Sequence, residues 1–150
     1  MWWRRWIPGP KHGLPRGMVV WGNTRDLDPD TMNDHFGRCQ GLRNWARMRG
    51  LALSGIPEDL ELLDQAIDEQ PIGAFNDPWC QAEGEVGLFL GTVIVASLAG
   101  ACWRLWPDGH PVIRLASGRE LDVVAMGSAR VSNGVPRLID AFAAATGPQT

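Results

Sequence analysis

The stretch between Gly100 and Gly127 limits what this chain can fold into more than any other. It reads ACWRLW, PDGH, PVIRLA, SGR and ELDVVAM in succession: three short apolar runs separated by two turn signals. Within each run a charged residue takes the alternate position. Arg104 stands between Trp103 and Leu105, Arg114 between Ile113 and Leu115, and Asp122 between Leu121 and Val123. A period of two with polar residues on one side specifies an antiparallel sheet with one dry and one wet face. Because a one-residue slip reverses the faces, the apolar sides must coincide. This predicts Leu105 opposite Ile113, Leu115 opposite Leu121, Arg114 across from Asp122, and Arg104 beside Arg114.

The residues before this ribbon have helical spacing. Thr31 to Arg49 is expected to form one helix, capped by Asp28 or Asp30, with Gly50 as the left-handed residue after it. Met32, Phe36, Cys39 and Leu42 make its inner face. A second helix is expected over Ser54 to Gln70, with Pro57 in its first turn, the acids Glu58, Asp59 and Glu61 near its N-terminus, and Leu60, Leu63 and Ile67 pointing inward. Phe75 and Trp79 belong to the loop that follows. Val86 to Trp103 carries no charge over eighteen residues, the threshold length for a membrane span, and includes the Gly87/Gly91 pair. Glu83 and Glu85 at its start, and its passage into strand alternation at Cys102, favour instead a buried central helix over Gln81–Leu98. Downstream, Asn133-Gly134 is a turn, and Pro136 opens a last helix ending at Gly147. Met18 to Trp21 reads as a short extended run.

At 150 residues, 45% apolar and 21% charged, the chain has the size and composition of one globular domain able to bury a core without disulfides. The Pro/Gly-rich residues 1–15 are expected to be a tail, and residues 16–147 one α+β domain. The five cations of the first 25 residues precede every acid; the remainder holds nine cations and all seventeen acids. An acidic body argues against a nucleic-acid-binding core, which needs clustered cations. Cys39, Cys80 and Cys102 are odd in number and form no CxxC, so reduced thiols in the cytoplasm are expected.

Motifs that carry chemistry are sparse. His35 and Cys39, with Cys80 and Cys102, imitate a Cys3His zinc set, but the close ligand pairs typical of zinc sites are missing. Asp26, Asp28 and Asp30 imitate the opening of a calcium loop, yet its glycine and final glutamate positions hold Thr31 and Gly37. No GxSxG, P-loop or GxGxxG is present. His110, in the PDGH turn, reads as a polar turn residue; a pairing with Asp108 is the alternative. No catalytic residue, metal ligand or cofactor is assigned.

The binding surface expected from these patterns is the wet face around Arg104, Trp106, Arg114 and Asp122. Trp106 lies on the charged side of its strand, and tryptophan flanked by arginine is enriched at protein interfaces. A second idea is contact of Trp2, Trp3, Arg4, Arg5 and Trp6 with an anionic membrane surface, for which six residues are short.

The segments LGTVIVASLAGACWRLWPDGHPVIRLASGRELDVVAMG, NGVPRLID and GLRNWARMRGLALSGIPEDLELLDQAID resemble a family of small uncharacterised actinobacterial proteins of Streptomyces type. The resemblance spans about Arg16 to Ala145, and it implies no activity, cofactor or catalytic residue. The layout is also similar to some bacterial immunity-type proteins, an analogy of fold alone. These readings converge on an α+β domain: two N-terminal helices, a buried central helix, a three-stranded antiparallel meander and a C-terminal helix. The expected function is a non-enzymatic cytoplasmic module that binds another protein, with no nucleic acid and no transmembrane segment. The alternatives are a small metal-dependent or hydrolytic enzyme using His35 and His110, and a peripheral membrane protein.

Overall fold

A computed structural model describes residues 28–69 and 80–147. In chain order these form α1 (Pro29–Phe36), α2 (Gln40–Arg47), α3 (Pro57–Glu69), α4 (Cys80–Ser97), β1 (Cys102–Leu105), β2 (Pro111–Arg114), β3 (Glu120–Leu121), α5 (Val123–Asn133) and α6 (Leu138–Thr146). The fold is α+β, with an open antiparallel sheet ordered β1-β2-β3 beside the helices. The tail, the extended run at Met18–Trp21, and Phe75 and Trp79 lie outside the described residues.

The first helix departs from expectation by being two. Asp28 caps α1 by accepting the Thr31 N–H at 2.8 Å. The helix stops at Phe36, and the chain reaches α2 through Cys39, which adopts a left-handed conformation at φ 40°. Met32, Phe36, Cys39 and Leu42 are all buried, so the inner face runs unbroken through the interruption. That continuity is why spacing alone reads as one helix. The break is stabilised from elsewhere in the chain. Cys39 offers α2 no side-chain cap; the buried carboxylate of Glu85, on α4, accepts the Leu42 N–H at 2.8 Å instead. A helix end left without such partners would strand its first N–H groups.

α3 starts at Pro57, three residues later than expected. The Asp59 carboxylate, 3% exposed, gathers the N–H groups of Ser54, Gly55 and Ile56 and holds them in a loop. Leu60, Leu63 and Ile67 are buried as expected.

α4 takes the central place and packs most extensively on α5. Glycines allow the approach. A Cβ on Gly127 would collide with the backbone of Gly87, and one on Gly87 with the backbone of Val123 and Val124. Gly91 leaves room for the Trp103 ring. The Gly87/Gly91 pair therefore serves packing within the chain. No helix among the described residues is long and apolar enough to cross a membrane.

The sheet keeps the expected face parity but not the expected register. Trp103 pairs with Ile113 and Leu105 with Pro111; Ile113 pairs with Leu121, and Arg114 with Glu120 rather than Asp122. Both ladders are displaced by two residues, and the turns are the reason. Trp106 N–H bonds the His110 carbonyl, and Leu115 N–H bonds the Arg119 carbonyl. Each hairpin thus closes on a three-residue loop, PDG or ASG, whose glycine sits at positive φ (Gly109 88°, Gly118 91°). Burial of one face fixes register only to the nearest two residues; the loop selects among the remaining choices. A second correction concerns the third strand, which ends at Leu121. Asp122 caps α5 through the Ala125 N–H at 3.1 Å, so Val123 and Val124 enter the core from a helix.

An ionic network, buried at Asp64 and Arg130 and open to solvent at Asp68 and Arg137, ties the helices together. Arg130 of α5, 2% exposed, donates from Nε to Asp64 Oδ1 at 2.7 Å and from Nη2 to Asp68 Oδ1 at 2.7 Å. Asp64 of α3 also accepts the Leu138 and Ile139 N–H groups, each at 3.0 Å, capping α6. Arg137 reaches the other oxygen of Asp68 at 2.8 Å. These guanidiniums, Arg130 first and then Arg137, hold the Asp68 carboxyl below its ordinary range.

Two expected outcomes test this packing. Gly127→Ala forces backbone apart and should cost about 2 kcal/mol or more in urea unfolding, whereas Ser132→Ala on the exposed side of α5 should stay within ~0.5 kcal/mol; equal values would overturn the close contact. Burial pushes the Glu85 carboxyl above its ordinary 4.5, against the lowering effect of the Leu42 and Gly41 N–H groups. The folded chain then retains a proton that the unfolded chain releases, so stability falls as pH rises above 4.5. Glu85→Gln should flatten that slope, and parallel pH–stability curves for the two proteins would assign it to another group.

Candidate functional site

The inner face of the sheet, with Trp103, Ile113, Leu115 and Leu121, belongs to the core. The alternate positions make the outer face. From the observed register, Cys102, Arg114 and Glu120 form one row across it, and Arg104 and Val112 the next, with Asp122 beyond the end of β3. Trp106 and His110 close the hairpin end. All four residues expected to form the binding surface, Arg104, Trp106, Arg114 and Asp122, therefore arise from the ends and outer positions of one small sheet.

Their partners differ from the expected ones. Glu120 stands directly opposite Arg114 but accepts the Trp106 indole N–H at 3.1 Å, reaching across the middle strand. Val112 lies at that crossing point. It is fully buried although it alternates outward, and it lies apart from the main apolar cluster. Trp106 also packs on His110, ring centroids 5.2 Å apart and 32° inclined. The indole is thus fixed at its N–H and along one face while the side chain stays 39% exposed.

Asp122 has a second task beside the α5 cap. His110 Nε2 lies 2.7 Å from its Oδ1, with His110 at 12% side-chain exposure and Asp122 at 33%. The Asp108 carboxylate accepts the His110 backbone N–H at 3.0 Å and so fixes the turn. Asp122 thus links the PDG turn to the start of α5. Alternation puts Glu120 on the wet face, but its tie to Trp106 and the place of His110 beside it are not read from residue patterning. The signal was present, since PDG and ASG each specify a three-residue hairpin loop, and the register they set brings both side chains to Trp106.

Arg104 and Arg114 are exposed and are diagonal neighbours on adjacent strands, a spacing of about 7–8 Å between Cα atoms. Neither makes an ion pair among the described residues. Between them on the same face lies Cys102, partner of Arg114 and two residues from Arg104, with a small, half-buried side chain.

The other sequence candidates separate. His35 lies in the last turn of α1 and Cys39 precedes α2, across the break. The Cys39 thiol is buried and directed at the carbonyls of Phe36 (3.3 Å) and Glu85 (3.6 Å). Burial, then the Glu85 charge, pushes its pKa far up, away from the thiolate needed for metal binding or attack. Burial, then Arg38, lowers the pKa of His35, whose Nε2 is buried without a hydrogen-bond partner. Cys102 is on the sheet's outer face, and no cluster of three metal-binding side chains occurs among the described residues. Asp28, from the calcium-like run, is a helix cap. Trp2, Trp3, Arg4, Arg5 and Trp6, like the Cys80 side chain, lie outside the described residues.

Residues 10–147 match the family of unknown function DUF6278, and the chain belongs to that family. No curated protein and no solved structure matches it.

The link between hairpin and helix has a measurable consequence. Asp122→Ala removes both the cap and the partner of His110 and should cost about 1–2 kcal/mol. In a double-mutant cycle with His110→Ala, the coupling should be roughly 1 kcal/mol; additive losses would mean that the 2.7 Å contact contributes nothing.

Proposed function

We propose that this DUF6278 protein is a non-enzymatic, cytoplasmic protein-binding module of adaptor or immunity-like type. In this reading residues 16–147 form one α+β domain, and Arg104, Trp106, Arg114 and Asp122 on the outer sheet face meet the partner. The observation that carries the proposal is the state of Trp106: a large aromatic side chain, 39% exposed, yet held by Glu120 and His110. An aromatic side chain fixed before binding loses little rotamer freedom on association, which is what an interface anchor requires.

The neighbouring polar groups support binding over catalysis. His110 Nε2 is engaged by Asp122, and that carboxylate is itself engaged by the α5 N-terminus. The buried Cys39 thiol is pushed away from its reactive form. Nucleic acid is disfavoured as a partner because Glu120 and Asp122 sit among the arginines, where phosphates would meet like charge.

Affinity capture from the native host tests the assignment. Trp106→Ala and Arg114→Glu should each deplete the same captured protein, while Arg47→Glu, exposed on α2, should not. If both outer-face variants retain every partner of the wild type, the surface is wrongly assigned.

A further inference from the structure

We infer that the segment docking on the outer face is acidic, with carboxylates received by Arg104 and Arg114 beside an apolar residue on Trp106. The inference rests on the outer face being the docking surface, and it adds the chemistry of the partner.

Its basis is the distribution of charge within the face. Arg114 has a carboxylate directly opposite in Glu120, the arrangement that ordinarily forms a cross-strand pair. Glu120 is held by the Trp106 indole instead. Asp122, the other acid of the face, is held by His110 and the Ala125 N–H. Both acids are thus engaged within the fold, and among the described residues the guanidiniums of Arg104 on β1 and Arg114 on β2 form no ion pair. Arginines that serve the fold meet acceptors, whereas the exposed Arg38, Arg47 and Arg119, like Arg104 and Arg114, form no ion pair among the described residues. Arg43 meets three carbonyl oxygens, and Arg130 and Arg137 meet carboxylates.

The two residues between the arginines on this face are Cys102, half-buried, and Val112, buried. Cys102 has a short side chain beside both. Arg forks bind carboxylates with two parallel bonds, and two forks on diagonal positions suit successive acids on one side of an extended segment. The exposed part of the Trp106 indole, two positions from Arg104 on the same face, offers the apolar contact. An extended segment alternating acidic and apolar residues has the complementary pattern.

The test uses the full chain and a short fluorescein-labelled peptide of alternating glutamate and valine, followed by fluorescence anisotropy. Saturable binding is expected, weakening as salt is added. The double variant Arg104→Glu/Arg114→Glu should lower affinity about ten-fold or more, since like charges are then juxtaposed. Both side chains are exposed, so an unchanged far-UV circular dichroism spectrum is expected; Arg104→Gln/Arg114→Gln serves if charge reversal perturbs the fold. The inference is overturned if no saturable binding occurs, or if the double variant binds equally well. It is equally overturned if a lysine–valine peptide or a single-stranded oligonucleotide binds as tightly. A host partner that depends on Trp106 yet survives Arg104→Glu/Arg114→Glu would sink the acidic chemistry while leaving the docking surface in place.

Discussion

The Asp64–Arg130 pair is the contact on which the arrangement of the helices depends. One buried carboxylate receives the α5 guanidinium and two N–H groups of α6 while belonging to α3. Removing one partner of such a pair leaves a buried charge unpaired, typically at a cost of about 3–5 kcal/mol. Its net contribution over a well-packed apolar cluster is much smaller, because both ions were taken out of water. What the pair decides is position. Leu138 and Ile139 need acceptors for their N–H groups, and Arg137 at the helix start provides none. α6 therefore belongs where Asp64 can reach it.

The same device recurs. α2 begins after a left-handed cysteine that cannot cap it, and Glu85 arrives from α4 to do so. Asp59 gathers the loop before α3, Asp28 caps α1, and Asp122 caps α5. Negative charge at a helix N-terminus is favourable because unpaired N–H groups and the helix dipole converge there. The chain supplies Asp28, Asp59 and Asp122 locally, next to the helix each serves. Where it supplies the acid from a distant helix, the start is set by packing.

The outer face of the sheet follows from two such commitments. Asp122 is engaged as a cap, and Glu120 as the acceptor for Trp106. Among the described residues neither forms an ion pair with Arg104 or Arg114. The fold thereby leaves cationic groups on one side of a pinned aromatic, a separation of charge within a face that composition would describe only as mixed. Close packing behind the sheet keeps this surface steady. Gly91 seats Trp103, and Gly127 meets Gly87, so the strands rest on helices that approach to backbone contact.

The sequence by itself determined the α+β class, the central helix over Gly87 and Gly91, and which strand residues share a face. Each is a local property: the period of apolar residues, a break at Gly100, and alternation of charge. Turn chemistry in PDG and ASG was also legible, and it specifies the true register; face matching alone does not, because shifts of two residues leave the faces unchanged. Placement of Arg104, Trp106, Arg114 and Asp122 on one surface follows from alternation, but the roles of His110 and Glu120 require the correct register. Only the tertiary structure decided the break at Cys39, the early end of the third strand at Leu121, and the joining of Asp64 to Arg130. In each case the deciding partner lies at another point in the chain: Glu85 is 43 residues from Leu42, and Asp64 is 66 residues from Arg130. No local pattern announces a hydrogen bond across that distance, since it exists only once packed helices bring the two ends together.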